Sequence, residues 1–401
     1  MQTAAPSNTT VESVREQVIT WRRHLHMNPE LSFHEERTAR FVAGTLAALD
    51  AFEISKPTPT SVVARLVGAH AGPVLAMRAD MDALPIHERN SHDFVSRTPG
   101  VMHACGHDGH TSMLLGAAAV LAGRRDEIHG EIRFLFQHAE ELNPGGAEEM
   151  VSAGVMDGVS AVIGAHLWLP LEFGYVAVKA GAFMAAPDTF RLTIKGQSGH
   201  AAMPHLTVDP IAIAAQVITN LQHIASRNVD PLDSIVVSVS QISGGTAHNV
   251  IPGAVDMVGT VRTFTPELRA RAPELMERII RGVTDAHGAG YDFEWEAGYR
   301  PVINDVAVAD RVRAAVTTAL GKDVLIEATP SMAGEDFSAF QQKAPGCFFF
   351  IGARNEARNI VQPHHHDCFD VDERSLDWGT RIFVAAAREF LGRPREAAPT
   401  A

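Results

Sequence analysis

DTFRLTIKG, residues 188–196, breaks the rhythm of the chain. It reads as a strand, and the segments after it belong to the same small layer. A helix is expected in DPIAIAAQVITNLQHIAS (209–226), and strands in SIVVSVSQIS (234–243) and AVDMVGTVRTF (254–264). A second helix is expected in PELRARAPELMERIIRGVTDAHG (266–288) and a last strand in YDFEWEA (291–297). The order β-α-β-β-α-β is the ferredoxin-like pattern. Turn-forming Pro187 stands before this segment, with Gly298 and Pro301 after it.

On either side the pattern is different. PVLAMRA (73–79), EIRFLFQ (131–137) and AVIGA (161–165) are short strand-like runs, apolar on both sides, with a helix beginning near Thr111 in TSMLLGAAAVLA. The pattern returns in CFFFIGA (347–353), another buried strand, and DWGTRIFVAAAREFLG (377–392), a closing helix. Strands covered on both faces and separated by helices imply a mainly parallel sheet between helical layers. The chain is therefore read as an α/β domain in two parts, 1–186 and 299–401, interrupted by a ferredoxin-like α+β insert at 187–298.

The bulk numbers agree with a two-domain folded protein. A chain of 401 residues exceeds one ordinary core, and 46% hydrophobic with 20% charged residues is enough apolar surface to offset chain entropy. Disorder is expected only at the ends, MQTAAPSNTT and GRPREAAPTA. A net charge of -13 without a basic stripe argues against nucleic acid. No apolar run reaches the roughly 20 residues of a membrane span, and no secretory signal opens the chain, so the expected location is the cytoplasm. Three cysteines, Cys105, Cys347 and Cys368, make no disulfide framework. Near the start, TVESVREQVITWRRHLHMNPEL reads as a helix stopped by Pro29, and His24 and His26 read as surface or helix-terminal residues.

Sites in open α/β sheets form beyond the carboxyl ends of strands. Metal-type residues follow the strands repeatedly here. PVLAMRA runs into Asp80 and Asp82, EIRFLFQ into His138, Glu140 and Glu141, and AVIGA into His166. CFFFIGA precedes the loop of His364, His365 and His366, and MHACGHDGH (102–110) stands just before a helix. Imidazole, carboxylate and thiolate together suit Zn²⁺, Mn²⁺ and related ions. Of two adjacent glutamates, one can bind metal while the other takes a proton from water and later protonates a leaving amine.

These motifs carry a resemblance across nearly the whole chain. RRHLHMNPELSFHEERTA, ADMDALPI, MHACGHDGHTSMLLGAA, FQHAEELNPGGAEEM, GHAAMPH, GGTAHNVIP, MAGEDFSAF and FDVDE occur in the order of the aminoacylase/carboxypeptidase (peptidase M20) family of metal-dependent amidohydrolases. The sequence resembles in particular its hippurate, indole-acetyl-amino-acid and N-acyl-amino-acid hydrolases. The resemblance implies hydrolysis of an N-acyl amino acid and divalent ions, two per subunit, drawn from Mn²⁺, Zn²⁺, Ni²⁺ or Co²⁺. It implies Cys105, His107, Glu141, His166 and one C-terminal histidine as ligands, Cys105 bridging, and Glu140 as the proton shuttle. Counting back from Phe369 selects His365. In the insert, His200 would polarise the scissile carbonyl, and Asn249 and Arg262 would hold substrate polar groups. The insert would act as lid and homodimer interface, a tetramer being the larger alternative. Asp80 and Asp82 are expected to orient the ligands.

Departures from the family pattern are His138 in place of the proline of FQPAEE and Ser198 in SGHAA. His138 either adds a hydrogen bond behind the ligands or faces the loop. Cys347 and Cys368 read as packing. Two other function classes stand beside the metallohydrolase: a cysteine hydrolase with Cys105 as nucleophile, and a metal-binding scaffold without turnover.

Overall fold

The computed structural model describes residues 9–392, so the expectation of frayed ends falls almost wholly outside the described residues. The chain divides into two compact units. The first runs to Phe183 and resumes at Ile303–Thr329 and from Asp336; the second is Met184–Val302 with Pro330–Glu335.

The first unit is built on an eight-stranded sheet. From edge to edge its strands are Glu53–Ser55, Val62–Val67, His129–Gln137, His70–Asp80, Ala161–Glu172, Gly346–Arg354, Val176–Val178 and Leu325–Glu327. The central strands pair in parallel: His70–Asp80 with both His129–Gln137 and Ala161–Glu172, and the latter with Gly346–Arg354. Antiparallel pairs occur toward the edges. The central strands are buried on both faces, as their unbroken apolar runs require. No helix among the described residues is long and apolar enough to cross a membrane.

Three helices pack together on this sheet, Val11–Met27, His107–Ala122 and Arg374–Leu391. The first starts at a capping box in which Thr10 accepts from Ser13 N and Ser13 answers Thr10 N. The middle helix is buried at every position. Gly116 lets its neighbours approach, since a Cβ there would lie 2.6 Å from Val18 Cγ2 and 3.0 Å from Thr380 Oγ1. This helix begins at His107, a full turn before the Thr111 expected from sequence. With no polar face to mark its period, the apolar run alone could not locate its start.

The second unit holds a four-stranded antiparallel sheet in the order Ile235–Ser243, Ala254–Thr263, Ala186–Lys195, Gly290–Glu296. Helices Pro210–Leu221 and Pro266–Ala286 complete its β-α-β-β-α-β succession. Asp188, fully buried, accepts three bonds from Arg269 (Nε–Oδ1 3.1 Å, Nε–Oδ2 2.9 Å, Nη2–Oδ1 2.7 Å) and one from Gly298 N, tying first strand, second helix and exit together. The unit is wider than the segment 187–298 read from sequence, because Ala185 N donates to Ser331 O and Ala333 O and so recruits Pro330–Glu335. A partner nearly 150 positions away leaves no local mark in sequence.

Candidate metal centre

Each candidate in the first unit is delivered by an element end. Asp80 closes its strand, and Asp82 follows it. Gln137 ends the next strand, and the chain turns sharply at Ala139 before Glu140 and Glu141. Ala139 has φ 50°, a left-handed backbone that costs a residue bearing a Cβ about 1–2 kcal/mol. Cys105 and His107 flank Gly106, whose φ of 96° suits glycine and starts the buried helix. His166 lies inside the strand Ala161–Glu172 rather than after it, in register with Phe350. His365 has φ 66° and its N–H donates to Ala104 O at 2.8 Å, next to Cys105.

These side chains converge. Ligand atoms of Cys105, His107 and His166 lie within 4.8 Å of one another, and so do those of Cys105, Glu141 and His365. Cys105 Sγ belongs to both triplets, so two cations could share one sulfur. Its distance to His166 Nε2 is 3.5 Å. His365 Nε2 stands 3.3 Å from Glu141 Oε1, and His107 Nε2 lies 3.8 Å from Glu141 Oε1 and 4.0 Å from Glu140 Oε2. The triplet of C-terminal histidines separates cleanly: His364 Nε2 turns to Leu167 O at 3.0 Å, and His366 Nδ1 receives the Cys368 N–H.

The residues fit a cation. His107 Nε2 and Glu141 Oε1 are buried and have no hydrogen-bond partner. Such atoms are rare in folded proteins unless something else satisfies them. The nitrogen, sulfur and oxygen donors match Zn²⁺ or Mn²⁺ preferences.

Surrounding groups set the ligands. Asp82 Oδ1 holds His107 Nδ1 at 3.1 Å, which turns Nε2 toward the triplets, while Asp82 Oδ2 accepts from Glu141 N and Ser32 Oγ. Asp80 acts differently: Oδ1 pairs with His110 Nδ1 at 2.6 Å and Oδ2 with Arg78 at 2.7 Å. His110 Nε2 accepts Leu167 N, so its proton sits on Nδ1 and it braces the strand of His166. His166 Nδ1 bonds Leu167 O, leaving Nε2 for Cys105. Burial first, then the charges of His110 and His364, hold His166 well below the usual imidazole range, in its neutral ligand form. Burial opposes the charge of His107, but Asp80, Asp82 and Glu141 lift it to about 10. Burial and the Glu141, Glu140 and Asp80 carboxylates push the Cys105 thiol well above its ordinary value.

Sequence reasoning missed His110, Arg78 and a second cluster behind the ligands. His110 follows His107 by three positions on one helix, a spacing that places both on one face. His26, read as a surface or helix-terminal residue, does lie in the last turn of its helix but is fully buried: Nδ1 pairs with Asp108 at 2.8 Å and Nε2 with Glu88 at 3.1 Å. Asp108 also takes Arg22 Nε at 2.9 Å, and Arg22 reaches Asp370 at 2.6 Å and Glu373 at 3.3 Å. Only His24 is exposed, stacked on Phe41. His138 faces away from the ligands, toward Glu149 and Thr58. Cys347 is fully buried and Cys368 half-buried.

His200, Asn249 and Arg262 belong to the second unit. His200 Nδ1 accepts the Ala202 N–H at 3.1 Å, so Nε2 carries the proton. His200 and Asn249 are exposed. Arg262 is half-buried, its bonds going to Thr260 Oγ1 and Met332 O and, among the described residues, to no carboxylate.

The model of peptidase family M20/M25/M40 matches residues 76–389. The chain belongs to that family. Within it, the chain is 63% identical over 294 residues to an N-acyl-L-amino acid amidohydrolase of Geobacillus stearothermophilus, covering 73% of this chain and 80% of that one. It is 39% identical to thermostable carboxypeptidase 2 of Saccharolobus solfataricus, covering 96% and 98%. The crystal structure of a dinuclear metal binding peptidase of the M20 family from Bacillus subtilis superposes with a TM-score of 0.82 at 38% identity, covering 94% of this chain and 98% of that one.

Proposed function

We propose that this M20 amidohydrolase cleaves the amide bond of N-acyl amino acids of acetyl, benzoyl or aryl-acetyl type. The observation that carries it is the paired triplet sharing Cys105, with Glu140 beside it. Cys105, His107, Glu141, His166 and His365 would hold two divalent ions, drawn from Mn²⁺, Zn²⁺, Ni²⁺ or Co²⁺. Bound there, such ions polarise a carbonyl oxygen and lower the pKa of water to about 7.

The chain's own groups do the rest. Glu140, buried to 7% exposure, takes the proton of the attacking water and returns it to the leaving amine. Asp82 keeps His107 from rotating, and His110 braces His166 through Leu167. His200 Nε2–H is a donor for the oxygen of the tetrahedral intermediate, an interaction strongest in the transition state. Asn249 and Arg262 bind the substrate's polar groups and carboxylate. The second unit serves as lid and homodimer interface, and the enzyme works in the cytoplasm.

A cysteine hydrolase is the weaker reading. A nucleophilic cysteine needs a stabilised thiolate beside an imidazolium. Such a pair gives no role to Glu140, Glu141 and His365, whose side chains gather beside Cys105 and His107.

The test is a panel of acetyl, benzoyl and indole-acetyl amino acids, assayed before and after chelation. Activity is expected to vanish with the metal and return with Mn²⁺, Zn²⁺, Ni²⁺ or Co²⁺. Undiminished hydrolysis by the stripped protein, or a trapped acyl-cysteine in the loaded one, overturns the proposal.

A further inference from the structure

Glu35 lies outside the ligand set, yet it touches the turn that presents Glu140. It occupies the N-cap position of helix Glu36–Ala47 but makes no capping bond with its side chain. Instead its carboxylate turns away: Oε1 accepts the Ala139 N–H at 2.8 Å and the Phe33 N–H at 3.1 Å. Both of those residues have left-handed backbones, φ 50° and 67°. Two positions on, Asp82 Oδ2 accepts the Glu141 N–H at 2.9 Å. The amides on either side of Glu140 are thus each held by a buried carboxylate.

We propose that Glu35 is a positioning residue for the reaction, its carboxylate locking the strained backbone of Ala139 and so setting the direction in which Glu140 is presented. The proposal rests on Glu140 being the proton shuttle. Packing alone gives no reason for an acid here. Glu35 is fully buried, with the Ala139 and Phe33 N–H groups and the Thr60 hydroxyl around its carboxylate. Burial first, and the charge of Asp82 second, push it up to about 7. Both N–H groups it accepts belong to left-handed residues, one of them the residue that immediately precedes Glu140. The left-handed turn at Ala139 also needs an external hold, because alanine gains nothing from that conformation by itself.

Three variants, Glu35→Gln, Glu35→Met and Glu35→Asp, are compared as metal-loaded full-length protein on the N-acetyl amino acid that the wild type turns over best. Glu35→Met removes the acceptor and is expected to lower kcat about 10- to 100-fold, with KM and metal content per chain unchanged. Glu35→Gln keeps an oxygen for both N–H groups and is expected to restore most of kcat. Should Glu35→Met fail to fold, Glu35→Asp, one methylene shorter, withdraws the acceptor while keeping the charge and is expected to lose kcat in the same sense. Wild-type kcat in Glu35→Met, or in Glu35→Asp where the former does not fold, overturns the proposal. So does an equal loss in the Gln and Met variants, or a loss confined to KM or to metal content. A wild type without turnover, or a Glu140→Gln variant that keeps it, would instead sink the functional reading on which the clamp depends.

Discussion

His107 and Asp108 are consecutive in one buried helical turn, and they face two different clusters. On the side of Asp108, Arg22 and His26 meet Asp108, Glu88, Asp370 and Glu373 with contacts of 2.6 to 3.3 Å, so opposite charges are paired throughout. On the side of His107, the donors of Cys105, Glu141, His166 and His365 gather, but His107 Nε2 and Glu141 Oε1 find no hydrogen bond. Both clusters draw on histidine and glutamate, but the first adds Arg22 and aspartates, while the second adds Cys105 and reaches the surface at His365. The difference lies in the charged pairs: Arg22 and His26 offset the carboxylates around Asp108, with the His92 and His103 rings beside them lacking hydrogen bonds, whereas around His107 a thiol, imidazoles and a carboxylate bring ligand atoms within 4.8 Å of one another.

The sharpest way to break that contrast is at Glu140. Glu140→Gln is expected to lower kcat by up to about 10⁴-fold, while metal content by elemental analysis and the urea unfolding midpoint stay at wild-type values. A variant that unfolds or loses its metals would move Glu140 into the structural class. Arg22→Met probes the opposite side. It leaves Asp108, Asp370 and Glu373 buried or half-buried without their shared cation, so unfolding stability should fall by about 3–5 kcal/mol, read from denaturant titration, with the metal content of the folded fraction preserved. A stable variant that has lost metal would show that the two clusters are one.

The smallest effect is in pH dependence. Although burial opposes it, His26 and the Ser96 N–H hold Glu88 down at about 2, against 4.5 ordinarily. A depressed acid stabilises the fold above its ordinary value, and that contribution fades as pH falls from 4.5 toward 2. His26 runs the other way: burial opposes its charge, yet Asp108 and Glu88 raise it above 6.5, so its contribution is complete below 6.5 and fades as pH rises through the folded value. Glu88→Gln should therefore flatten the acid limb of a stability profile measured by urea unfolding, and an unchanged slope would remove the cluster from the account of acid stability.

Much of the site is legible in sequence because ligand chemistry uses few residue types and open sheets gather them at strand ends. Cys105, His107, Glu141, His166 and His365 are all reached that way or through family motifs, and they do converge. The residues that escape are those whose work is done by contact. His26 and Arg22 look like any basic residues at a helix end until Asp108, more than 80 positions later, is folded against them. Glu35 looks like a helix-start acid until Ala139 N meets it. Asp80 and Asp82 carry similar local signals, and only their partners, His110 in one case and His107 in the other, separate them.

By itself, the sequence determined the two kinds of layer, the split of the α/β domain and the inventory of donors, since periodicity and residue chemistry are local properties. Tertiary structure decided which histidine of 364–366 stands beside Glu141, that Cys105 is common to two triplets, and which carboxylates meet a cation. Those depend on distances between segments far apart in the chain, and a hydrogen bond or a shared cation exists only once the fold has brought its atoms within about 3 to 4 Å.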